Sequence, residues 1–374
     1  MKIINAKVYT EEGTFVNKDI FVDQEMITDH DNGDGIIIDG CGCYAIPGLT
    51  DIHFHGCVGY DFCDGTAEAI SKMADYEASV GVTTIVPATM TLSEDRLMTI
   101  CKAAASYDNA HGAILCGINM EGPFIAESKK GAQNGKYIHK PDAAMFDKLN
   151  QASGNMVKLI AIAPEVEGAM EFIKAKKGEV VLSLAHTATD YDTAREALEN
   201  GASHMTHLYN AMNPFTHRAP GPIAAAAESK TCEAELICDG VHIHPAVVRV
   251  TFQMFSDDRI ILISDSMMAT GMPDGQYALG GQDVFVKGNL ATLKDGTIAG
   301  STTNLMDCVR TVVKKMGISL ESAVKCAAVN SAKSVGIYDK YGSITPGKVA
   351  NIVLLKEDDL SLNTVILKGE KYHQ

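Results

Sequence analysis

The prediction of the fold starts from the stretch PGLTDIHFHG, at positions 47–56. It is typical of a β-strand that ends in two histidines and then breaks at a glycine. Side chains at positions i and i+2 of a strand point to the same face, so His53 and His55 project together, with Asp51 on the same side. Two imidazoles at one strand end suit a divalent metal ion such as zinc or iron. Taken alone, a surface turn with two ordinary histidines is the better interpretation, because short motifs match by chance.

Outward from this stretch, the chain alternates between apolar, β-branched runs and helical patterns. Eight strands, with a helix after each of the first seven, indicate a parallel α/β sheet, and eight such units favour a closed (β/α)8 TIM-like barrel. The predicted strands are 49–55, 83–88, 113–121, 157–163, 179–186, 203–208, 233–239 and 259–265. The predicted helices are 67–80, 94–106, 141–151, 166–177, 193–200, 223–230 and 245–255, with an eighth over 304–316 and one or two more over 320–335.

Both ends of the chain contain short strands and turns without helical periodicity. Strands are predicted over 2–9, 15–21 and 35–39, and again over 349–355 and 364–368. We therefore predict a small β-sandwich domain assembled from both termini around the barrel, which carries a β-hairpin insertion. The predicted boundaries are 1–47 plus 342–374 for the small domain, 48–341 for the barrel and about 277–299 for the hairpin.

Composition narrows the class of protein. A chain of 374 residues, 46% of them hydrophobic, has room for a barrel of about 250 residues and a smaller domain. The net charge of −15 argues against nucleic acid and anionic membranes as partners. No apolar run reaches the length of a membrane span and the first residues do not resemble a signal peptide, so a cytoplasmic protein is expected.

The chain contains ten cysteines, scattered and mostly within apolar runs. This distribution favours buried, reduced thiols over a disulfide framework. Cys41 and Cys43 form the one close pair, but no partner pair of similar spacing lies nearby. A structural role is therefore the better interpretation for both.

Metal-competent side chains end most of the predicted barrel strands. In a (β/α)8 barrel the carboxyl ends of the strands converge at one mouth, where active sites are built. Coincidence is a poor explanation for so many at successive strand ends, and we predict a metal centre. The residues are His53 and His55 after the first strand, Glu121 after the third, His186 after the fifth, His207 after the sixth and Asp265 after the eighth.

The residue types suggest a division of labour at this centre. Glu121 is the natural bridge between two metal ions, with His53 and His55 on one and His186 and His207 on the other. Asp265 is placed to take a proton from a metal-activated water and return it to a leaving group. A cap for the loop at 266–273 is the plainer role for Asp265, but a carboxylate ending so apolar a strand is costly without a cation or hydrogen bonds. The chemistry indicated is metal-assisted hydrolysis.

With these residues, the chain resembles the amidohydrolase superfamily, and within it the family of N-acetylglucosamine-6-phosphate deacetylases. The match covers nearly the full length. Its most specific motifs are MEGPF at 120–124, HLYNAM at 207–212 and DGVHIH at 239–244, and it continues through LAHT at 184–187 and SDS at 264–266.

The resemblance implies hydrolysis of N-acetyl-D-glucosamine 6-phosphate to D-glucosamine 6-phosphate and acetate, through attack by metal-bound hydroxide. Asp265 is the implied general base and acid, and also a metal ligand. The implied partners are a small amino-sugar phosphate and a second copy of the chain, with Arg218 reaching into the partner's site. From its sequence context alone, Arg218 is better interpreted as a solvated loop arginine. The implied substrate-binding residues are Ala132, Gln133, Asn210, Ala211, Arg218, His242, Ile298, Ala299 and Gly300.

Two features set this chain apart from other members of the family. Some members lack the first-strand histidine pair and use one metal, whereas this chain keeps His53 and His55. We therefore expect two divalent ions per chain, from among zinc, iron, manganese and cobalt. Other members have a histidine at the position of Gln133, which can donate a hydrogen bond but cannot become charged.

Other functions stay open at this point. Dihydroorotase-like and dipeptidase-like amidohydrolases often bridge their metals with a modified lysine, and Glu121 in that role disfavours them. A deacetylase for an epimeric sugar such as N-acetylgalactosamine 6-phosphate, or for a different amide, fits the same residues. A non-catalytic binding protein on this fold is disfavoured because Asp265 and every predicted ligand are retained.

Overall fold

A computed structural model describes residues 1–33 and 35–372. The N-terminal segment forms short strands, as predicted, but two of the predicted strands are each split. Asn5 lies between the first two in the left-handed region (φ 63°), which interrupts the extended backbone. Asp34 and residues 373–374, which fall within the predicted small domain, lie outside the described residues. The strands are β1 Lys2–Ile4, β2 Lys7–Tyr9, β3 Phe15–Asn17, β4 Ile20–Asp23, β5 Met26–Thr28, β6 Ile37–Asp39 and β7 Cys43–Pro47.

The central segment alternates between buried parallel strands and helices, as the sequence predicts for an α/β fold. Most strands are shorter than predicted, and those that lead to His53, His186, His207 and Asp265 stop before these residues. The parallel strands are β8 Leu49–Asp51, β11 Val82–Ile85, β12 Ala88–Thr89, β13 Ile114–Leu115, β14 Ile118–Phe124, β15 Val157–Ile162, β16 Val181–Leu184, β17 His204–Met205, β18 Glu233–Ile237 and β19 Ile260–Ile263, and a short antiparallel pair, β9 Gly56–Cys57 and β10 Tyr60–Asp61, lies between β8 and the first helix. β14 is the exception, since it continues past Glu121 to Phe124.

Seven helices connect these strands, and the amphipathic patterns in the sequence predicted all seven. Helices over 94–106 and 245–255 have the predicted bounds. The Thr66 hydroxyl caps the first helix by accepting from Ala69 N (3.1 Å), whereas Ser93 stands at its helix start without such a bond. The helices are α1 Ala67–Ser79, α2 Glu94–Ser106, α3 Ala143–Ala152, α4 Ala169–Lys176, α5 Tyr191–Asn200, α6 Gly221–Glu228 and α7 Pro245–Phe255.

The parallel strands fall into two sheets. One has seven strands in the order β12-β14-β15-β16-β17-β18-β19, and the other has three in the order β13-β11-β8. Backbone hydrogen bonds also link the chain just after β8 to strands on both sides. Asp265 N, after β19, donates to His53 O (2.9 Å), and Val86 N, after β11, donates to Asp51 O (2.8 Å). The 51–55 segment therefore lies between the carboxyl ends of β11 and β19.

Where the sequence predicts a hairpin insertion near 277–299, the structure has three antiparallel strands, and we call this segment the insertion. The C-terminal segment then supplies helices and three further strands. The elements are β20 Gly275–Leu279, β21 Gln282–Lys287, β22 Leu290–Thr292, α8 Leu305–Lys314, α9 Leu320–Val324, a π-helical turn Lys325–Val329, α10 Asn330–Ser334, β23 Ile352–Lys356, β24 Leu362–Leu367 and β25 Glu370–Lys371.

The two ends of the chain meet in one sheet. Its order is β25-β24-β23-β7-β2-β3, so the antiparallel pair of β7 and β23 joins the N-terminal and C-terminal parts. A second sheet, β5-β4-β1-β6, lies beside it. Apolar side chains from both sheets, including Ile3, Val22, Ala45 and Leu354, form one buried cluster. Burial of this cluster away from water holds the terminal segments together.

The main core lies between the parallel strands and their helices. The cysteines are free throughout the described residues, and most are buried, as predicted. Cys43 is buried and Cys41 is exposed, so the pair does not form one site. Among the described residues, no helix combines the length and apolar character that crossing a membrane requires.

Candidate metal centre and substrate cavity

Six side chains meet at the carboxyl ends of the parallel strands and form what we call the ligand cluster. They arrive from five strands, either just after the strand end or, for Glu121, from within β14. All are at most 8% exposed. The sequence prediction placed Glu121 at a strand end; the strand instead runs three residues further. The ligand cluster consists of His53, His55, Glu121, His186, His207 and Asp265.

Glu121 lies at the centre of the ligand cluster and uses its two oxygens toward different partners. Its Oε1 is 3.0 Å from His186 Nε2 and 2.9 Å from His207 Nε2. Its Oε2 is 3.3 Å from His55 Nε2. A carboxylate with one oxygen on each side is the arrangement expected of a bridge between two cations.

His53 lies deepest and connects the two sides of the ligand cluster. Its Nε2 is 3.6 Å from Glu121 Oε1 and 3.7 Å from Asp265 Oδ1, and it has no hydrogen-bond partner among the described residues. Asp265 Oδ1 is also 3.2 Å from His55 Nε2. Two sets have ligand atoms within 4.8 Å of one another: His53, Glu121 and His207, and His53, His55 and Asp265.

The electrostatics of the ligand cluster follow from charges held away from water. Burial alone would lower the pKa of His55, but hydrogen bonds to Asp265 and Glu121 outweigh it and raise that pKa to about 10. Burial alone would raise the pKa of Glu121, but hydrogen bonds from His186 and His207 hold it well below its usual range. Buried nitrogen and carboxylate donors aimed at one another form a set that divalent cations bind.

Three members of the ligand cluster adopt a backbone conformation that side chains with a Cβ rarely take. His186, His207 and Asp265 have φ angles of 44°, 30° and 50°. Each such residue costs on the order of 1–3 kcal/mol and persists only where its surroundings fix it. Each of the three lies two residues after the end of its strand, where its side chain contacts Glu121 or, for Asp265, His55.

A cavity of about 330 Å³ opens above the ligand cluster. Most of the predicted substrate-binding residues line it, and we call these the rim: Ala132, Asn210, Ala211, His242, Ile298 and Gly300. Gln133 also lines the cavity. Sequence reasoning missed four lining residues, Met90, Gly131, Leu279 and Thr297.

Two of the predicted substrate-binding residues do not line this cavity. Ala299 is fully buried, and its N–H donates to Ala291 O (3.1 Å) within the insertion. Arg218 lies in an exposed loop and lines a separate cavity with Asp190 and Thr216. Within one chain, the structure therefore does not bring Arg218 to the ligand cluster.

Gln133 lies between the ligand cluster and the rim. Its Nε2 donates to Glu121 Oε2 (2.6 Å), and its Oε1 accepts from Thr91 N (2.6 Å). Gln282 of β21 donates to the carbonyl of Ala132, the residue before it. The insertion thus holds the loop that places Gln133 against Glu121.

Comparison with known proteins agrees with this geometry. Residues 44–371 match the model of the amidohydrolase family. The chain belongs to the amidohydrolase family. Within this family it is 37% identical to the N-acetylglucosamine-6-phosphate deacetylase of Bacillus subtilis, over 84% of this chain and 81% of that protein. It is 33% identical to the N-acetylgalactosamine-6-phosphate deacetylase of Escherichia coli O157:H7, over 87% and 86%.

A solved amidohydrolase structure shows the same likeness in three dimensions. It is a mutant of N-acetyl-D-glucosamine-6-phosphate deacetylase from Mycobacterium smegmatis in complex with N-acetyl-D-glucosamine-6-phosphate. The TM-score is 0.92 at 30% identity, with 99% of this chain and 98% of that chain covered. The predicted amidohydrolase fold, with its parallel α/β sheet, is confirmed. Together, the family and the buried donor sets support a divalent metal cofactor.

Two carboxylates lie beneath this amidohydrolase's ligand cluster, and sequence reasoning placed Asp51 differently and missed Glu235. Asp51, expected beside the two histidines, instead accepts from His53 N (3.1 Å) and from Ser264 Oγ (2.5 Å) below the mouth. Burial raises the pKa of Asp51 to about 7. Glu235, in the middle of β18, contacts His53 Nδ1 (2.8 Å). The sequence did contain a signal for Glu235, because a carboxylate inside an apolar strand is buried and requires a polar partner.

Proposed function

We propose that this chain is a metal-dependent deacetylase that hydrolyses the acetamide of N-acetyl-D-glucosamine 6-phosphate. The observation that carries the proposal is the ligand cluster, in which Glu121 contacts histidines from three separate strand ends beneath an open cavity. The named activities of the similar amidohydrolases described above, on N-acetylated amino-sugar phosphates, supply the substrate class.

The donors present fit a pair of divalent ions. His53 Nε2 is buried, has no hydrogen-bond partner among the described residues and faces two carboxylates. Ligand atoms that share one ion, each at about 2.0–2.2 Å, stand roughly 3–4 Å apart, as these do. His53, His55 and Asp265 would hold one ion, His186 and His207 the other, and Glu121 would bridge them. When bound, such ions polarise an amide carbonyl and lower the pKa of a water molecule.

Asp265 has the environment of a general base. Burial alone would raise its pKa, but the hydrogen bond from His55 and the charges of the neighbouring histidines keep it below the usual value. Asp265 is therefore ionised at neutral pH. It would take a proton from the attacking water as the water oxygen bonds to the acetyl carbon. It would then give that proton to the nitrogen as the C–N bond breaks, releasing acetate and the free amine.

The rim would orient the sugar phosphate. His242 is fixed because its Nδ1 donates to Asp239 Oδ2 (2.7 Å). Asn210 follows His207 and donates to that residue's carbonyl (3.2 Å), which keeps it beside the ligand cluster. We propose that Asn210, Ala211 and His242 contact the sugar and phosphate. Ala132 and Gln133 would contact the substrate near its acetamide, and Ile298, Ala299 and Gly300 would close over the acetyl group, with buried Ala299 acting through its backbone.

A second copy of the chain would complete the site. Arg218 shares its loop with Phe215, which is 53% exposed, and it does not line this chain's own substrate cavity. We propose a homodimer in which Arg218 binds the phosphate in the partner's site, since a guanidinium suits a phosphate group. Arg218→Ala should raise KM with kcat little changed. Equal activity from a monomer in sedimentation experiments would contradict this proposal.

The same reasoning extends to the fold. We propose that the strands close into a (β/α)8 barrel over residues 48–341, and that 1–47 and 342–374 form a β-sandwich. The backbone bonds on both sides of the 51–55 segment support closure, and the cluster shared by the two terminal sheets supports the sandwich.

The first experiment is an acetate-release assay with metal-replete protein and N-acetylglucosamine 6-phosphate, run beside Asp265→Asn. Release by the wild type that is absent in the variant is the expected result. The galactosamine epimer belongs in the same assay, because one relative is named for it. Failure to release acetate from either sugar by protein with bound metal would overturn the substrate class.

A further inference from the structure

The carboxylate of Glu235 lies beneath the ligand cluster and takes no part in the proposed reaction. It is fully buried in the middle of β18, between β17 and β19. A carboxylate so far from water requires partners, and those it has are informative. We propose that Glu235 is a positioning residue that anchors both metal sites at once, an inference that rests on the two-metal centre proposed above.

One oxygen of Glu235 serves both sides of the ligand cluster. Its Oε2 accepts from His53 Nδ1 (2.8 Å) and from the backbone N–H of His207 (3.0 Å). Its main-chain carbonyl accepts from Leu208 N (2.9 Å). His53 belongs to one proposed metal site and His207 to the other. A single residue therefore fixes an imidazole on one side and the backbone on the other.

The bond to His53 determines which ring nitrogen faces the metal. Because a carboxylate only accepts, the proton lies on Nδ1 and the lone pair on Nε2. That Nε2 points toward Glu121 and Asp265, at 3.6 and 3.7 Å. A carboxylate on the far nitrogen of a ligand histidine sets ring orientation and tautomer.

The bond to His207 acts on the backbone. His207 has a φ of 30°, a conformation that needs support from its surroundings. The side chain and carbonyl of Glu235 hold two successive N–H groups at this turn, those of His207 and Leu208. Without them, the His207 imidazole would lose the alignment that brings its Nε2 to Glu121 Oε1.

The surroundings of the other oxygen of Glu235 allow substitutions that separate the effect of its hydrogen bonds from the effect of its charge. Its Oε1 is 3.8 Å from His204 Nε2, and neither atom has a hydrogen-bond partner among the described residues. Glu235→Gln places a carbonyl where Oε2 stands and an amide group toward His204, so it keeps both anchoring bonds without the charge. Glu235→Asp keeps the charge but withdraws the oxygen by about one bond length, roughly 1.5 Å.

The test is a titration of metal-free protein with Co²⁺, read as the number of ions bound, the Kd of each and the visible absorption spectrum. We expect Glu235→Asp to weaken both ions by about 10- to 100-fold. Glu235→Gln should stay within a few-fold of wild type with an unchanged spectrum. His53→Asn should weaken the binding of one ion. Glu233→Gln, on the same strand as Glu235, should weaken the binding of neither.

Thermal unfolding of each metal-free variant guards against a folding defect, and Glu235→Leu replaces the aspartate variant if that one does not fold. The shared anchor would be overturned if Glu235→Asp weakened the binding of one ion alone. It would also be overturned if Glu235→Gln weakened metal binding as much as Glu235→Asp does. A wild type that binds one ion would overturn the two-metal centre itself. That failure is visible before any variant is compared, so the two outcomes stay distinct.

Discussion

The ligand cluster and the rim lie within one cavity but are built differently. The ligand cluster comes from the carboxyl ends of parallel strands and is buried. The rim comes from loops and from the insertion, and its members are partly exposed, with Ile298 at 40%. Strand ends are held by ladders on both sides, whereas loops are held by a few individual bonds. We infer that the first part sets the chemistry and the second sets the substrate.

The largest expected effect lies in the ligand cluster. His207→Asn removes a proposed ligand and should lower kcat/KM by about 1000-fold or more, since a catalytic metal contributes several kcal/mol to the transition state. Bound metal, measured by elemental analysis, should fall in parallel. His111→Asn, an exposed histidine far from the cavity, is the matched control. Normal activity with a reduced metal content would separate catalysis from this cluster.

The ligand cluster was also the more predictable part. Apolar strands ending in His186, His207 and Asp265 are visible in the sequence, and barrel topology brings their ends together. The contact of Glu235 with His53 was not predictable, because it joins residues 182 positions apart. Three strands were predicted too long because the left-handed residues His186, His207 and Asp265 follow their ends, and sequence does not encode φ for residues other than glycine in a readable way.

The rim depended on the family resemblance. Its loops have no periodicity, so only the resemblance selected Asn210, His242 and Ile298. Met90 and Leu279 resemble ordinary core residues in the sequence, and they line the cavity because the insertion folds back over the mouth. The resemblance alone also selected Arg218, and within one chain that residue lines a different cavity.

Gln133 contacts the ligand cluster and also lines the cavity, so its substitution tests whether the ligand cluster and the rim act separately. Because its amide donates to Glu121 and accepts from Thr91, Gln133→Ala should affect both metal affinity and substrate turnover. We expect kcat/KM to fall by about 10- to 100-fold. Gln276→Ala, an exposed glutamine on the insertion, is the control. A change in KM with metal affinity intact would assign Gln133 to the rim alone.

A smaller effect is expected on the rim. Ile298→Ala shortens a half-exposed apolar side chain over the cavity and should raise KM roughly threefold to tenfold, because less apolar surface would be buried against the substrate. Metal content and kcat should change little. Leu290→Ala provides the comparison, since Leu290 is 42% exposed on the same insertion but does not line the cavity. If Ile298→Ala instead released the metal, the separation of rim and ligand cluster would fail.

The smallest effect on activity is expected at Glu77 of α1. It is fully buried, and neither carboxylate oxygen has a hydrogen-bond partner among the described residues. Burial therefore raises its pKa well above the usual value. The folded protein keeps Glu77 protonated while the unfolded chain ionises above pH ~4.5, so each further pH unit costs about 1.4 kcal/mol of stability until Glu77 ionises in place.

Glu77→Met should remove this cost. We expect unchanged kcat and a thermal midpoint raised by about 2–5 °C at pH 7.5, shrinking to little or nothing near pH 4.5. Glu68→Met, an exposed glutamate on the same helix, should show neither change. A gain that does not depend on pH would mean that packing, rather than protonation, explains it. Glu121 is also buried, but hydrogen bonds from histidines hold its pKa low. Comparison with Glu77 therefore shows how much such partners stabilise a buried, ionised carboxylate.

The pairing of β7 with β23 has a consequence for how the protein is made. During synthesis, Cys43–Pro47 leaves the ribosome about 300 residues before Ile352–Lys356, its antiparallel neighbour. At about 5–20 residues per second, one edge of β7 stays unpaired for roughly 15–60 s. An apolar edge strand that waits this long is open to pairing with other nascent chains. Dependence on chaperones should therefore centre on this edge.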